Sequence, residues 1–265
     1  MHAFKYHRPA SVKDAEALAT KNVEGRLLAG GQSLVQAMKL RLSSPTDLID
    51  LGTIKELTGI KVSGGTVEIG AMTRHSEVHR SAEVKKAIPA LAALAGMIGD
   101  RQVRNMGTIG GSLANNDPAA DYPGAVLGLG ATITTNKRKI EADKFFTGLY
   151  ETALKPGEII TSVSFPVPKR AAYTKFKNPA SRFAIVGVFV AETAGGVRVA
   201  VTGAGACAFR QTDMEKALGA KFAAESIAKV KVKADDLNTD LHASAGYRAH
   251  LSGVMAKRAV EAALK

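Results

Sequence analysis

Leu27-Leu-Ala-Gly-Gly-Gln-Ser-Leu34 reads as a strand running through two glycines into the start of a helix. Gly30 and Gly31 have no Cβ to hold a ligand away, and successive N–H groups near a helix N-terminus point outward with partial positive charge. That arrangement suits a phosphate. The stretch is neither the GxGxxG of a Rossmann fingerprint nor a phosphate loop with its Lys-Ser/Thr, and alone such a turn is more often a plain connection than an anion site. On either side of it, the pattern predicts a strand at Phe4 to Tyr6, a helix capped by Ser11 and running through Ala19, a strand at Arg26 to Ala29, a helix over Ser33 to Leu42 and a strand at Leu48 to Leu51. The chain therefore opens as a compact β-α-β-α-β unit.

From Gly59 the pattern turns to short strands, Gly59 to Val62 and Thr66 to Ile69, joined by a Gly64-Gly65 turn. Helices are predicted over Ser76 to Ser81 and over the Ala-rich Ile88 to Met97. An apolar stretch comes next at Ala125 to Leu129, then a hairpin around Asn136 and a strand at Ile159 to Phe165. Pro166 and Pro168, with Lys169-Arg170 directly after them, mark the best boundary in the sequence. Beyond it, Ala172 to Lys177, Ala184 to Glu192 and Val197 to Thr202 predict an antiparallel meander. The last part is helical, over Gln211 to Leu218, Ala223 to Lys229 and Ala243 to Leu264, with Leu251, Val254 and Val260 as core positions.

A second Gly-rich segment, Asn105-Met-Gly-Thr-Ile-Gly-Gly-Ser-Leu-Ala-Asn-Asn-Asp-Pro-Ala-Ala-Asp-Tyr-Pro123, gathers Thr108, Ser112, Asn115, Asn116, Asp117 and Asp121 around three glycines. It lacks the alternating ligands and final Glu of an EF-hand. On spacing alone it reads slightly better as an Asx-rich surface loop than as a ribityl, ribose or pyrophosphate contact. Both loops together shift that balance, because a dinucleotide needs two backbone segments along its diphosphate.

The chain has 265 residues, with 36 Lys and Arg against 24 Asp and Glu, a formal charge of +12, and 46% hydrophobic residues. That supports packed domains with real cores and excludes disorder, collagen and coiled coil. The basic groups Lys137-Arg138-Lys139 and Lys229 to Lys233 lie away from aromatics that could stack on bases, so they read as solvated faces and the chain as no nucleic-acid binder. Cys207 is a lone thiol, which rules out an internal disulfide and a zinc or iron–sulfur site made by this chain, and no metal ligand is expected. Trp is absent and aromatics make up 5%, so a flat ligand would be held largely by backbone and small side chains. No apolar run reaches a membrane span, and the N-terminus has no apolar signal core, which makes the cytoplasm the expected compartment. No Ser/His/Asp or Cys/His constellation is visible, and no catalytic residue is expected.

The pair AGGQSLV…MK (Ala29 to Lys39) and RNMGTIGGSLANNDPAADYP (Arg104 to Pro123) closely resembles the signatures of the FAD-binding medium subunit of the molybdenum hydroxylase family, the group of xanthine dehydrogenase and aerobic carbon monoxide dehydrogenase. GAMTRHSEV (Gly70 to Val78), KFKNPASRFAIVGV (Lys175 to Val188) and DLHASAGYRAHL (Asp240 to Leu251) extend the resemblance over almost the whole chain.

The resemblance implies an α+β fold. A two-lobed FAD-binding domain would occupy residues 1–166, with lobes of about 1–58 and 59–166 and the cofactor between them, and a C-terminal flavoprotein domain with meander and helices would occupy 169–265. It implies that Leu28, Ala29, Gly30, Gly31, Gln32, Ser33 and Leu34 wrap the FAD pyrophosphate, mainly through backbone donors. Thr108, Ile109, Gly110, Gly111 and Ser112 would meet the pyrophosphate and ribityl chain, and Asp121 would accept a hydrogen bond from a cofactor hydroxyl. Family members commonly carry Asn where this chain has Ser112. Ile98 would lie on the adenine, Ile160 against the flavin, and Lys177 near the isoalloxazine edge, where a cation favours the reduced, anionic ring. Thr73, Arg74 and His75 carry less weight. Replacing Gly30 or Gly110 with Val is expected to abolish FAD binding while the chain still folds.

For function, the resemblance implies an oxidoreductase flavoprotein in a heterotrimer. A large molybdenum-cofactor subunit would oxidise the substrate, a small subunit with two [2Fe–2S] clusters would relay electrons, and FAD on this chain would pass them to NAD, a quinone or oxygen. The alternatives are a standalone two-lobed FAD-dependent oxidase or reductase, for which the stretch after Pro166 is short, and a basic binding module for nucleic acid.

Overall fold

A computed structural model describes residues 1–265. The first lobe is built from β1 (Lys5–His7), α1 (Val12–Lys21), β2 (Arg26–Leu28), α2 (Leu34–Lys39) and β3 (Asp47–Asp50). Its three strands are parallel in the order β1-β3-β2, so their C-terminal ends share one edge. Ligands of open parallel sheets bind at that edge, and the Gly30-Gly31 turn leaves it directly from β2. Ser11 caps α1 by accepting from the Asp14 N–H, as the sequence implies. Helix α2 is shorter than expected, because Arg41 takes a left-handed φ of 60° just beyond it.

The second lobe starts with the hairpin β4 (Ile60–Ser63) and β5 (Thr66–Gly70), whose turn uses Gly64 and Gly65 at φ 55° and 72°. Six short helices come after it: α3 (His75–Arg80), α4 (Ala82–Ala87), α5 (Pro89–Gly96), α6 (Arg101–Met106), α7 (Ile109–Asn115) and α8 (Tyr122–Leu129). Then come β6 (Thr132–Thr135), β7 (Lys139–Glu141), the small pair β8 (Phe146–Gly148) and β9 (Glu151–Thr152), and β10 (Ile160–Pro166). The lobe's sheet is antiparallel in the order β4-β5-β10-β6-β7. Arg138 lies with Lys137 and Lys139 on the solvated face expected of them, and its Nε also pairs with the buried Glu158 carboxylate at 2.9 Å. Chiefly through that bond, the Glu158 carboxyl is lowered to about 2.

The C-terminal part is the meander β11 (Arg170–Lys177), β12 (Ala184–Thr193), β13 (Gly196–Thr202) and β14 (Phe209–Arg210), followed by α9 (Thr212–Ala220) and α10 (Ala245–Ala263). The helix expected over Ala223 to Lys229 is a short 3-10 turn, Ala224–Ile227. One face of the meander, with Val186, Val188, Val199 and Val201, is covered by α9 and α10 through Met214, Leu251, Met255 and Val260. The other face sends Tyr173, Phe189 and Ala200 into the same core as α5, α8 and β10. The chain crosses at Pro166 and Pro168, but the hydrophobic core continues across that crossing.

Candidate functional site

The two glycine loops, far apart in sequence, touch. A Cβ built on Gly30 would overlap the Met106 carbonyl and lie 2.7 Å from the Gly107 Cα, and one built on Gly111 would lie 3.2 Å from the Ala29 Cβ. Glycine at position 30 is thus required by the chain's own backbone, and Gly31, at φ +73°, by its left-handed conformation.

Backbone donors are distributed unequally between the loops. In the first, the N–H groups of Ala29, Gly30, Gly31, Gln32 and Ser33 donate to no group of the protein. The five residues are half-buried or exposed, so these donors are open to solvent beside a helix start, an arrangement that suits an anion. In the second, Ile109 donates to Thr73 O at 3.2 Å, Gly110 to Ala71 O at 2.8 Å and Ser112 to Thr108 O at 3.0 Å. Gly111 N–H is held by the Thr108 hydroxyl at 3.2 Å. Ile109 and Gly110, expected to meet the cofactor, are buried instead: Ile109 lies in the core, and Gly110 sits where a Cβ would be 2.6 Å from that of Ala71. The second loop therefore closes the site sterically, with the hydroxyls of Thr108 and Ser112 as its polar groups.

Beneath that loop lies His75. Its N–H donates to Gly107 O at 3.0 Å, and its imidazole packs under the same glycine, 2.6 Å from where a Cβ would stand. The ring is tilted against Tyr122 with centroids 5.3 Å apart, and both His75 Nδ1 and the Tyr122 hydroxyl are buried without a partner. Burial, assisted by the charge of Arg104, lowers the imidazole to about 4, so it is neutral at pH 7. The sequence offers no signal for this packing role beyond the TRH stretch itself.

Asp121 is also placed differently from the expectation. It opens α8 inside the protein, accepts from the Tyr173 hydroxyl and pairs with Lys175 Nζ at 2.9 and 3.0 Å. Burial pushes its carboxyl above the ordinary range, against the opposing pull of Lys175 and Tyr173. Ile160 is buried in the second-lobe core. Ile98 is half-buried in the segment after α5, which is bonded to Lys175 and Arg182 on either side of the exposed Lys177. Ile98 and Lys177 thus lie in neighbouring segments, whereas adenine and isoalloxazine lie at opposite ends of an extended FAD. No spacing in the sequence reveals the parts taken by Tyr173, Arg104 and Arg182, whose partners are a distant carboxylate and the carbonyls after α5.

The family described as "FAD binding domain in molybdopterin dehydrogenase" matches residues 2–168. The carbon monoxide dehydrogenase medium chain of Hydrogenophaga pseudoflava is 36% identical over 277 residues, covering 98% of this chain and 96% of its own. The nicotine 6-hydroxylase medium subunit of Paenarthrobacter nicotinovorans is 35% identical over 272 residues, covering 97% and 96%. Among solved structures, the reconstituted CO dehydrogenase from Oligotropha carboxidovorans superposes with a TM-score of 0.92 at 34% identity, over 99% of this chain and 98% of that one. The chain belongs to the FAD-binding medium subunits of the molybdenum hydroxylase family and is an oxidoreductase subunit whose cofactor is FAD. The row of free N–H donors, walled by glycines, is a donor set that fits the diphosphate of that cofactor. No helix is long and apolar enough to cross a membrane.

Proposed function

We propose that this chain is the electron-transfer subunit of a cytoplasmic molybdenum hydroxylase complex. It takes electrons from the [2Fe–2S] clusters of a small partner subunit, which a large molybdenum-cofactor subunit supplies, and delivers them to NAD, a quinone or oxygen. The observation that carries the reading is the run of five N–H groups from Ala29 to Ser33 that donate to no protein group, in a loop that touches the second one at Gly30. Bound there, FAD supplies the exchange between one- and two-electron carriers that such a relay needs.

Leu28 to Leu34 hold the diphosphate through backbone donors, with Thr108 and Ser112 offering hydroxyls across from them. Gly111 lets the two loops approach, while Ile109 and Gly110 shape the second loop from within. Ile98 lines the flavin end of the site together with Lys177, whose exposed cation at the end of β11 favours negative charge nearby. Ile160 is buried on β10 next to Thr161, whose carbonyl holds the Ala71 N–H beneath the second loop. Asp121 has one acceptor position left on Oδ2 for a cofactor hydroxyl. A polar cleft of about 310 Å³, lined by Tyr150, Asn178, Ser181, Asp240, His242 and Arg248, adjoins the segment after Lys177 and offers the acceptor an approach.

The test is purification of the full chain under its own promoter with whatever accompanies it. FAD released by heat, with molybdenum and iron in the co-purifying chains, is the expected result. A yellow chain that carries FAD and turns over a substrate with no metal-bearing partner would favour the standalone oxidase or reductase. A colourless chain that takes up no added FAD would remove the reading.

A further inference from the structure

Lys175 stands on β11, two residues before Lys177, with its side chain only 3% exposed. An ammonium withdrawn from water to that degree is tolerated only where partners take its protons. Here all three are used: Asp121 Oδ1 at 3.0 Å, Asp121 Oδ2 at 2.9 Å and the Met97 carbonyl at 3.0 Å. These partners belong to different walls of the site. Asp121 ends the second glycine loop and opens α8, whereas Met97 starts the segment that carries Ile98. The next carbonyls of that segment are also met by cations: Arg104 Nη1 donates to Ile98 O at 2.9 Å and Gly99 O at 3.0 Å, and Arg182 Nη1 donates to Gly99 O at 3.3 Å. Two of the three cations, Lys175 and Arg182, come from the C-terminal meander and its first loop. The second glycine loop, which ends at Asp121, is stitched to the meander again where Thr202 Oγ1 donates to Ala120 O at 2.6 Å and Gly203 N–H to Pro118 O at 2.7 Å.

We propose that Lys175 is a positioning residue of the cofactor site, locking the Ile98 segment and the Asp121 end of the second loop to the C-terminal sheet so that the site is complete only when that sheet is seated. The proposal rests on the FAD reading and adds a residue to it. A pair kept for stability alone can be exchanged for matched neutral side chains without loss. A positioning pair cannot, because the exchange frees the Met97 carbonyl and the open acceptor position of Asp121 to drift.

The full chain is titrated with FAD, following flavin fluorescence, and the apo protein is melted. The double variant Lys175→Met, Asp121→Asn removes both buried charges, and Lys175→Met alone, which leaves the Asp121 side chain in place, is titrated beside it and is expected to weaken FAD binding as well. The double variant is expected to melt within a few degrees of wild type, to bind FAD at least about tenfold more weakly, and to alter the shape of the visible band of the flavin that still binds. A double variant that melts like wild type and binds FAD within about twofold of it overturns the proposal. Should that variant not fold, amide exchange in the wild-type chain decides. FAD is expected to slow exchange at residues 96–100 and along β11 together, and slowing confined to residues 29–34 overturns the coupling. A wild-type chain that takes up no FAD overturns the flavoprotein reading itself, which sets that failure apart from the others.

Discussion

The first glycine loop leaves the N–H groups of Ala29 to Ser33 open to a ligand, whereas the second gives those of Ile109, Gly110, Gly111 and Ser112 to Thr73, Ala71 and Thr108. Two segments of similar composition are therefore built for opposite tasks: one binds through its backbone, and the other shapes a wall. The difference shows what glycine does in each. Gly30 lets the loops meet, Gly110 lets α7 lie on Ala71, and neither owes its missing side chain to the cofactor alone. A row of unsatisfied donors identifies a binding loop better than the number of its glycines does.

Alanine at the two meeting points gives the largest effect. Gly30→Ala drives a methyl into the Met106 carbonyl, and neither backbone can yield without parting the loops. The expected loss is about 3 kcal/mol of stability, in the range of overpacked cores, together with FAD binding. Gly111→Ala meets only the Thr108 hydroxyl at 2.9 Å and the Ala29 methyl at 3.2 Å, and should cost about 1 kcal/mol. This replaces the expectation that a branched residue at 30 or 110 spares the fold, since both positions press on protein rather than on open space. A Gly30→Ala variant that melts like wild type would mean that the loops do not touch.

A pH titration separates the loops next. The second rests on the neutral, buried His75. Because the His75 imidazole ionises near 6.5 when unfolded and only at about 4 when folded, the unfolded chain binds the extra proton between those values. Stability is full above pH 6.5 and falls by about 3 kcal/mol as the pH drops through that window. Urea melts at pH 7 and pH 4.5 should show this fall in wild type and lose most of it in His75→Gln. An unchanged slope in the variant would place the acid sensitivity elsewhere.

How much of the molecule was legible in sequence depends on whether the deciding force was local. The Ser11 cap, the Gly64-Gly65 turn and the meander obey short-range rules, and the structure has them within a residue or two. Helices α6 and α7 did not show, because Gly107, Gly110, Gly111 and the asparagines argue against helix locally, while burial of Ile109 and Leu113 and the packing of Gly110 on Ala71 override them. In α8 all eight residues are buried, so no periodic face exists to be read. At the site, the backbone cradle was legible from Gly30-Gly31 and the family signature. The occupancy of Asp121 by Tyr173 and Lys175 was not, since it depends on a contact across more than fifty residues.

The smallest effects probe the contrast at the two hydroxyls that open the loop helices. Thr108 caps α7 by accepting from Gly111 N–H, whereas Ser33, at the start of α2, caps nothing and is exposed. Thr108→Ala should therefore cost about 1 kcal/mol of stability, and Ser33→Ala should fall within about 0.5 kcal/mol of wild type. FAD affinity tests the same difference from the ligand's side. If the first loop binds through its N–H groups, removing the Ser33 hydroxyl changes the dissociation constant by less than about threefold, because the amide that meets the diphosphate is still there. A loss of about tenfold or more in Ser33→Ala would mean that side chains carry the binding, and the five open amides would then need another occupant.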